Sequence, residues 1–351
     1  MKQKKESNIS RENNDKKRII TLDVLRVLAC FLVCYCHIIS ESQYIYNTPI
    51  GANWLFVTIT FIFSKIAVPI FFMISGVLLL REEQDLKKML KKSLCRIIIP
   101  LFVCSSFIYF KDNPSVGITN IINFFENFVK GTILSPYWYL YSLLGIYIMT
   151  PFISNFVKNI STEKYKQLMI IGFVLIILLK TVNELKVSSS FDISLSANFY
   201  YFLLGYYIYN KCKYNMNQIV CANIISVITL IISIIIIING NVREEIKLIG
   251  SINLLAVFIL SVTTFITIKF LYENKKNTPK TQKIVQFISP LTFCVYLIHV
   301  VFLGKLRFIL EFLMTYLNDV LSIIVYSGIF FGCMILISYV IKKIPYVKEY
   351  I

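Results

Sequence analysis

Residues 21–40, TLDVLRVLACFLVCYCHIIS, are apolar over the length a helix needs to cross a bilayer, yet they carry Arg26 and His37. A hydrocarbon core ~30 Å thick takes ~20 helical residues. An ionisable side chain inside such a span costs a few kcal/mol even on insertion scales, so its presence marks function or a partner on another helix. Eleven residues at ~100° each make about three turns, so Arg26 and His37 share one helical face, ~16 Å apart along the axis. Cys30 and Cys34 lie on the same stripe. Glu41, four residues beyond His37, is expected to hold the second imidazole nitrogen. Asp23, three residues before Arg26, is spaced for a local ion pair.

The pattern of this stretch recurs. The 351 residues have a mean hydropathy of +0.70, are 57% hydrophobic and only 16% charged, against about a quarter charged in soluble chains. Ile, Leu and Phe come in runs of ~20 residues, and the alternating segments of about ten that build spanning barrels are lacking. The fold class expected is therefore all-α, a polytopic membrane bundle of about ten helices. The spans fall near 19–40, 54–80, 94–110, 137–157, 168–185, 197–210, 218–238, 247–271, 284–303 and 320–341. Residues 1–18 read as a disordered tail, 19–341 as one membrane domain and 342–351 as a short second tail. The polar start MKQKKESNISRENNDKK precedes the first span at a distance no signal peptide has, and no small-residue cleavage site follows, so that span is expected to be retained.

A formal charge of +17 invites a nucleic-acid reading, which its distribution opposes. If the N-terminus is cytoplasmic, 26 of the 36 Lys and Arg fall in inner segments and 8 in outer ones, with Arg26 and Lys65 inside spans. Such a bias places both termini in the cytoplasm, and the charge faces anionic lipid rather than nucleic acid. The inner loop REEQDLKKMLKKSLCR reads as an anchor at the cytoplasmic headgroups or a dock for a polyphosphate. In the outer loop, NIINFFENFVKG reads as an amphipathic segment on the membrane surface. The nine cysteines lie mostly in apolar segments and suit buried free thiols. No dense set of further ligands accompanies Cys30, Cys34 and His37, so no metal is expected.

Two other polar residues sit in spans. His299, the only other histidine, lies in SPLTFCVYLIHVVF at a depth similar to His37, where the two could flank one cavity. Lys65 lies in FSKIAVPIFFMISGVLLL, deep enough to face a polar cavity; Pro69 should kink that helix, and Ser75-Gly76 should let a neighbour approach closely. Carboxylates are scarce in the spans, which suits an anionic ligand better than a proton- or sodium-coupled path.

These residues resemble the integral-membrane acyltransferase family 3, whose members include O-acetyltransferases of surface polysaccharide and peptidoglycan. LDVLRVLACFLVCYCH is similar to the family's first span, with ten residues between its arginine and histidine. AVPIFFMISGVLLL resembles the second span, KKSLCRIIIP the basic opening of the third, YWYLYSLLGIYIMTP the fourth, YFLLGYYI the sixth and FCVYLIH the ninth. The likeness runs from about residue 18 to 341. There are two departures. Tyr137 stands before Trp138 where relatives often have His, and no extracytoplasmic hydrolase-like domain follows the last span, which favours direct transfer.

The resemblance implies transfer of a short acyl group, acetyl first, from cytoplasmic acyl-CoA to a hydroxyl of a cell-envelope glycan or lipid-linked sugar at the outer face of the cell membrane. It carries over Arg26 and His37 as the essential pair, with Arg96 as a CoA-side contact. The chemistry of the side chains agrees. Arginine binds phosphate bidentately, which suits Arg26 and Arg96 for CoA, with Lys65 and Ser75 beside them. A pantetheine arm of ~15–20 Å matches the Arg26–His37 separation set by helical rise. His37 is then the general base, with Glu41 as its partner. His299, Tyr139 or Ser75 could stabilise the oxyanion, and His299, Trp138 and Tyr139 are expected at the acceptor side. A covalent acyl group on His37 or Cys34 is the less favoured route. The main rival is an exporter of a surface glycan or its precursor, although neither symmetric halves nor discontinuous helices show in the pattern.

Overall fold

Prolines decide where the long apolar runs break. The computed structural model describes residues 19–81, 87, 89, 95–115, 117–184, 193–239, 246–274 and 279–345, and among these every regular element is a helix. The first expected span is α1, Ile20–Ser42. A single turn, α2 (Tyr44–Asn47), leads to the second span, which is two helices, α3 (Ala52–Ser64) and α4 (Ala67–Leu79). Pro69 has no N–H to give the Lys65 carbonyl, and the chain tightens at Lys65 and Ile66 into bonds to Ile62 O and Phe63 O. The kink read from Pro69 is present, and Lys65 sits on it.

The chain continues through α5 (Cys95–Asp112), α6 (Ile118–Lys130), α7 (Trp138–Asn159), α8 (Thr162–Glu184), α9 (Ile193–Asn210), α10 (Met216–Asn239) and α11 (Ile246–Asn274). The ninth expected span is discontinuous. It comprises α12 (Pro279–Ile288), a tight turn at Ser289–Leu291 and α13 (Thr292–Leu303). Pro290 within that turn ends the first helix. This corrects the expectation that no helix is discontinuous. α14 (Arg307–Tyr316) and α15 (Asp319–Ile341) close the chain.

Each expected span thus lands on helix. Among the described residues, seven helical stretches are long and apolar enough to cross a membrane; α5, α8 and α9 are the helices at the other three expected spans. α6 is amphipathic as read. Its Phe124 is buried against Phe102 and Tyr109, while Ile118, Ile122, Phe125 and Val129 are exposed along one stripe. The basic inner loop falls mostly outside the described residues, as do the N-terminal tail and residues 346–351 of the C-terminal one.

α1 is the hub. It packs against α3, α4, α11, α12, α13 and α15, so a polar group on α1 meets protein on several sides rather than lipid. The closest helix pair is α4 with α9, and the reason is two facing glycines. A Cβ on Gly76 would lie 1.8 Å from Phe202 O, and one on Gly205 would lie 2.2 Å from Met73 O. Backbone meets backbone there, the small-residue packing expected between membrane helices. Gly76→Ala or Gly205→Ala should therefore force α4 and α9 apart and exceed the ~1–3 kcal/mol typical of overpacking. Loss of the monodisperse species on size exclusion in detergent is the expected result; an unchanged elution profile and melting point would show that the crossing tolerates a methyl group.

Lys269 on α11 also joins helices. It is buried, and its Nζ donates to Ile208 O (3.1 Å), Tyr209 O (2.8 Å) and Cys212 O (2.8 Å). The ammonium thus satisfies two carbonyls of the last turn of α9 and one just beyond it, and answers the negative end of the helix dipole.

Candidate active site

Arg26 is held by partners inside the protein. Its Nη1 donates to Asp23 Oδ1 (3.1 Å) and to Ser289 Oγ (3.1 Å), and Ser289 Oγ donates to Asp23 Oδ1 at 2.6 Å. Asp23 is only 4% exposed and Ser289 is buried. The turn at Ser289–Leu291 supplies this cradle, and Lys342 secures it by donating to Pro290 O (3.0 Å). A buried carboxylate and hydroxyl thus fix the guanidinium at Nη1. The Asp23–Arg26 ion pair read from spacing is present; Ser289 was not legible, because it lies 263 positions away.

Arg26 opens onto a cavity of about 220 Å³ between α1, α4, α7 and α13, lined mostly by apolar side chains. Its polar lining includes Ser75, Tyr139, Tyr147 and Tyr296. Tyr147 lies in the fields of both Arg26 and Arg96, the latter exposed at the start of α5. The two arginines read as donor-side contacts therefore approach one tyrosine. Ser75 Oγ donates to Phe71 O (2.9 Å), with the Tyr139 hydroxyl beside it.

At the end away from Arg26 the cavity is walled by aromatic rings. Tyr139 and Tyr296 meet at 5.3 Å between centroids and 65°, and Tyr139 packs on Phe72 at 4.9 Å. The wall is stitched to the backbone, since the Tyr296 hydroxyl donates to Pro136 O and the Tyr137 hydroxyl donates to Leu297 O (2.8 Å). Tyr137, read from the resemblance as a departure, is thus bonded to a backbone carbonyl. Behind the wall lie the imidazoles. Tyr296 and His299 are 5.6 Å apart, and His299 and His37 are 5.2 Å apart, between ring centroids. The two histidines, read from their depth as flanking one cavity, lie side by side instead, and neither lines the Arg26 cavity.

Other residues fall elsewhere. Lys65 is exposed at the α3–α4 break, with Nζ 4.2 Å from the Phe61 ring centroid and its charge acting on His37. It therefore stands on the histidine side of the wall and does not line the Arg26 cavity. Tyr35, which hydrogen-bonds Thr60 at 2.7 Å, sets that register between α1 and α3. Glu41 is exposed, and no hydrogen bond joins it to His37 among the described residues; its charge is felt by Tyr326 instead. The expected Glu41–His37 bond is thus replaced by a His299 neighbour. Trp138 is 44% exposed at the start of α7 and does not line the cavity. Cys30 and Cys34 are buried, Cys30 Sγ donating to Thr292 O at 3.5 Å.

The fold and this site define a class: a polytopic helical membrane protein in which one central helix carries an anchored guanidinium at a cavity and, three turns on, an imidazole that meets a second imidazole from α13. The family model described as an acyltransferase domain, acyltransferase family 3, matches residues 19–343. The chain belongs to that family, and it is a membrane acyltransferase. No curated protein and no solved structure matches it.

Proposed function

We propose that the protein moves a short acyl group, acetyl first, from cytoplasmic acyl-CoA to a hydroxyl of a cell-envelope glycan or lipid-linked sugar at the outer face. In this reading ten helices span the cell membrane and both termini are cytoplasmic. The observation that carries it is the order along α1: anchored arginine, apolar cavity, tyrosine wall, paired imidazoles. Arg26 and Arg96 suit the phosphates of CoA, and the mostly apolar lining of the cavity suits the pantetheine arm. The thioester then meets the tyrosine wall next to the imidazoles.

The chemistry balances without another reactant. His37 takes the proton of the acceptor hydroxyl as the oxygen attacks the thioester carbon. The tetrahedral oxyanion collapses, the carbon–sulfur bond breaks, and the CoA sulfur leaves with the proton that His37 returns. Tyr139 and Ser75, beside the cavity's end, are the donors nearest the developing oxyanion.

The test supplies membranes with CoA carrying a labelled acetyl, succinyl or butyryl group and follows label into lipid-linked and polymeric glycan. Label in glycan supports the reading; none from any of these donors contradicts it. Export of a glycan is the second reading, favoured by the breaks in α3–α4 and α12–α13, since transporters use discontinuous helices. Dependence of glycan flux on the protein without acylated product would select it.

The wall also predicts donor length. Tyr139→Ala removes a ring where the acyl group must lodge, and a pocket discriminates by ~1–3 kcal/mol per methylene. The kcat/KM ratio of hexanoyl- to acetyl-CoA should rise about tenfold or more. An unchanged ratio would place the acyl group elsewhere.

A further inference from the structure

His299 poses a problem that packing alone leaves open. It is 0% exposed, and its Nδ1 lies 2.6 Å from Tyr296 O. A carbonyl only accepts, so Nδ1 carries the proton and donates. In the neutral imidazole that leaves Nε2 as a bare lone pair. Nε2 is buried and has no hydrogen-bond partner among the described residues. Leaving such a group unsatisfied costs about 1–3 kcal/mol, so a buried acceptor of this kind calls for an explanation.

The ring beside it is His37. Their centroids are 5.2 Å apart, which is about the separation of two imidazoles sharing an N–H···N bond of ~2.9 Å. His37 is only partly buried and makes no hydrogen bond among the described residues, so its ring is free to turn onto His299. The other groups acting on the pair are the backbone carbonyls of Tyr296 and Val295, which only accept, and Lys65, an ammonium that only donates. Glu41, the carboxylate one turn along α1, is exposed.

We propose that His299 is the positioning residue for His37: its Nε2 accepts the N–H of one His37 nitrogen and so leaves the lone pair of the other facing the acceptor hydroxyl. This inference rests on His37 being the base in acyl transfer. The chain Tyr296 O, His299, His37 sets both the tautomer and the ring orientation, the task a carboxylate performs in many general bases. It requires no charged partner in the membrane, where a carboxylate would be costly. It also explains why α13 is tied to the tyrosine wall: Tyr296 bounds the donor cavity with its ring and orders the imidazoles with its carbonyl.

Two substitutions separate this role from a structural one. In His299→Asn the amide nitrogen takes the place of Nδ1 and keeps the bond to Tyr296 O, but nothing stands where Nε2 was. In His299→Gln the longer side chain sets a carbonyl near the Nε2 position and gives up the Tyr296 bond. Initial rates of labelled acetyl transfer are measured in membranes at matched protein level, with His37→Ala in parallel, varying donor and acceptor. The expected result is a fall in kcat of about tenfold or more for His299→Asn with KM for both substrates unchanged, and substantial recovery in His299→Gln. The opposite order, with Asn active and Gln inactive, would make the Tyr296 bond the whole role and overturn the proposal. So would a rise in acceptor KM at constant kcat, which would make His299 a substrate contact. Wild-type rates in His37→Ala would remove the base itself, and this inference with it.

Discussion

His37→Ala should lower the rate of acyl transfer by about 10²–10⁴-fold, the usual contribution of a general base, while leaving KM for acyl-CoA unchanged. The split follows from geometry. The cavity above Arg26 ends at Tyr139 and Tyr296, and His37 lies behind them beside His299. In the proposed reading the donor occupies the cavity short of the imidazole, so removing the ring should act on the chemical step alone. The fold should survive, because His37 is only partly buried and its loss costs no more than the single bond to His299 proposed above, about 1–3 kcal/mol. Initial rates at varied acyl-CoA check this, with His37→Gln as a second variant of closer shape. A His37→Ala protein with normal kcat would remove the residue from the chemistry.

Arg26 should behave differently, because it has two duties. It reaches the cavity, and it is hydrogen-bonded to Asp23, whose carboxylate is 4% exposed. Removing one member of a buried ion pair costs about 3–5 kcal/mol when the other charge stays behind; Arg26 is 28% exposed, and Ser289 still donates to Asp23 at 2.6 Å, so the lower end applies. Arg26→Ala should therefore yield less folded protein as well as less transfer. Arg26→Lys keeps a cation for Asp23 and loses the planar fork that grips phosphate. It should fold normally and raise KM for acyl-CoA by about 10–100-fold, the worth of a charge-assisted hydrogen bond. Equal KM in Arg26→Lys and wild type would place the anion elsewhere. The double variant Asp23→Asn, Arg26→Ala should regain fold but not donor affinity.

Much of this architecture was legible in the sequence for physical reasons. Apolar runs the length of a bilayer have few alternatives to helix, because a backbone in lipid must satisfy its own hydrogen bonds. The Arg26–His37 register follows from helical pitch, and the ion pair to Asp23 from three-residue spacing. Pro69 announced the break at Lys65 because a missing N–H acts locally. Pro290 carried the same signal, yet the apolar run through residues 284–303 concealed it, and the ninth span read as one helix.

What stayed hidden depends on contacts far apart in the chain. Ser289 meets Arg26 across 263 positions, and the wall of Tyr139 and Tyr296 joins α7 to α13. A tyrosine in an aromatic-rich span looks the same whether it walls a cavity or fills a core. Glu41 shows the converse. The i, i+4 rule placed it on the stripe of His37, but the rule describes only one helix, and α13 brings His299 into that position instead.

In the proposed reaction the acyl group enters at the Arg26 end of α1 and leaves at the His37 end, on opposite sides of the membrane. Sealed inside-out vesicles holding glycan acceptor in their lumen test this directly. Acetyl-labelled CoA, which does not cross the bilayer, is supplied to the exposed cytoplasmic face alone. Label should accumulate in lumenal glycan with wild-type protein and stay at background with His37→Ala. Label that appears only when acetyl-CoA is placed in the lumen, or that reaches only acceptors on the cytoplasmic face, would contradict it.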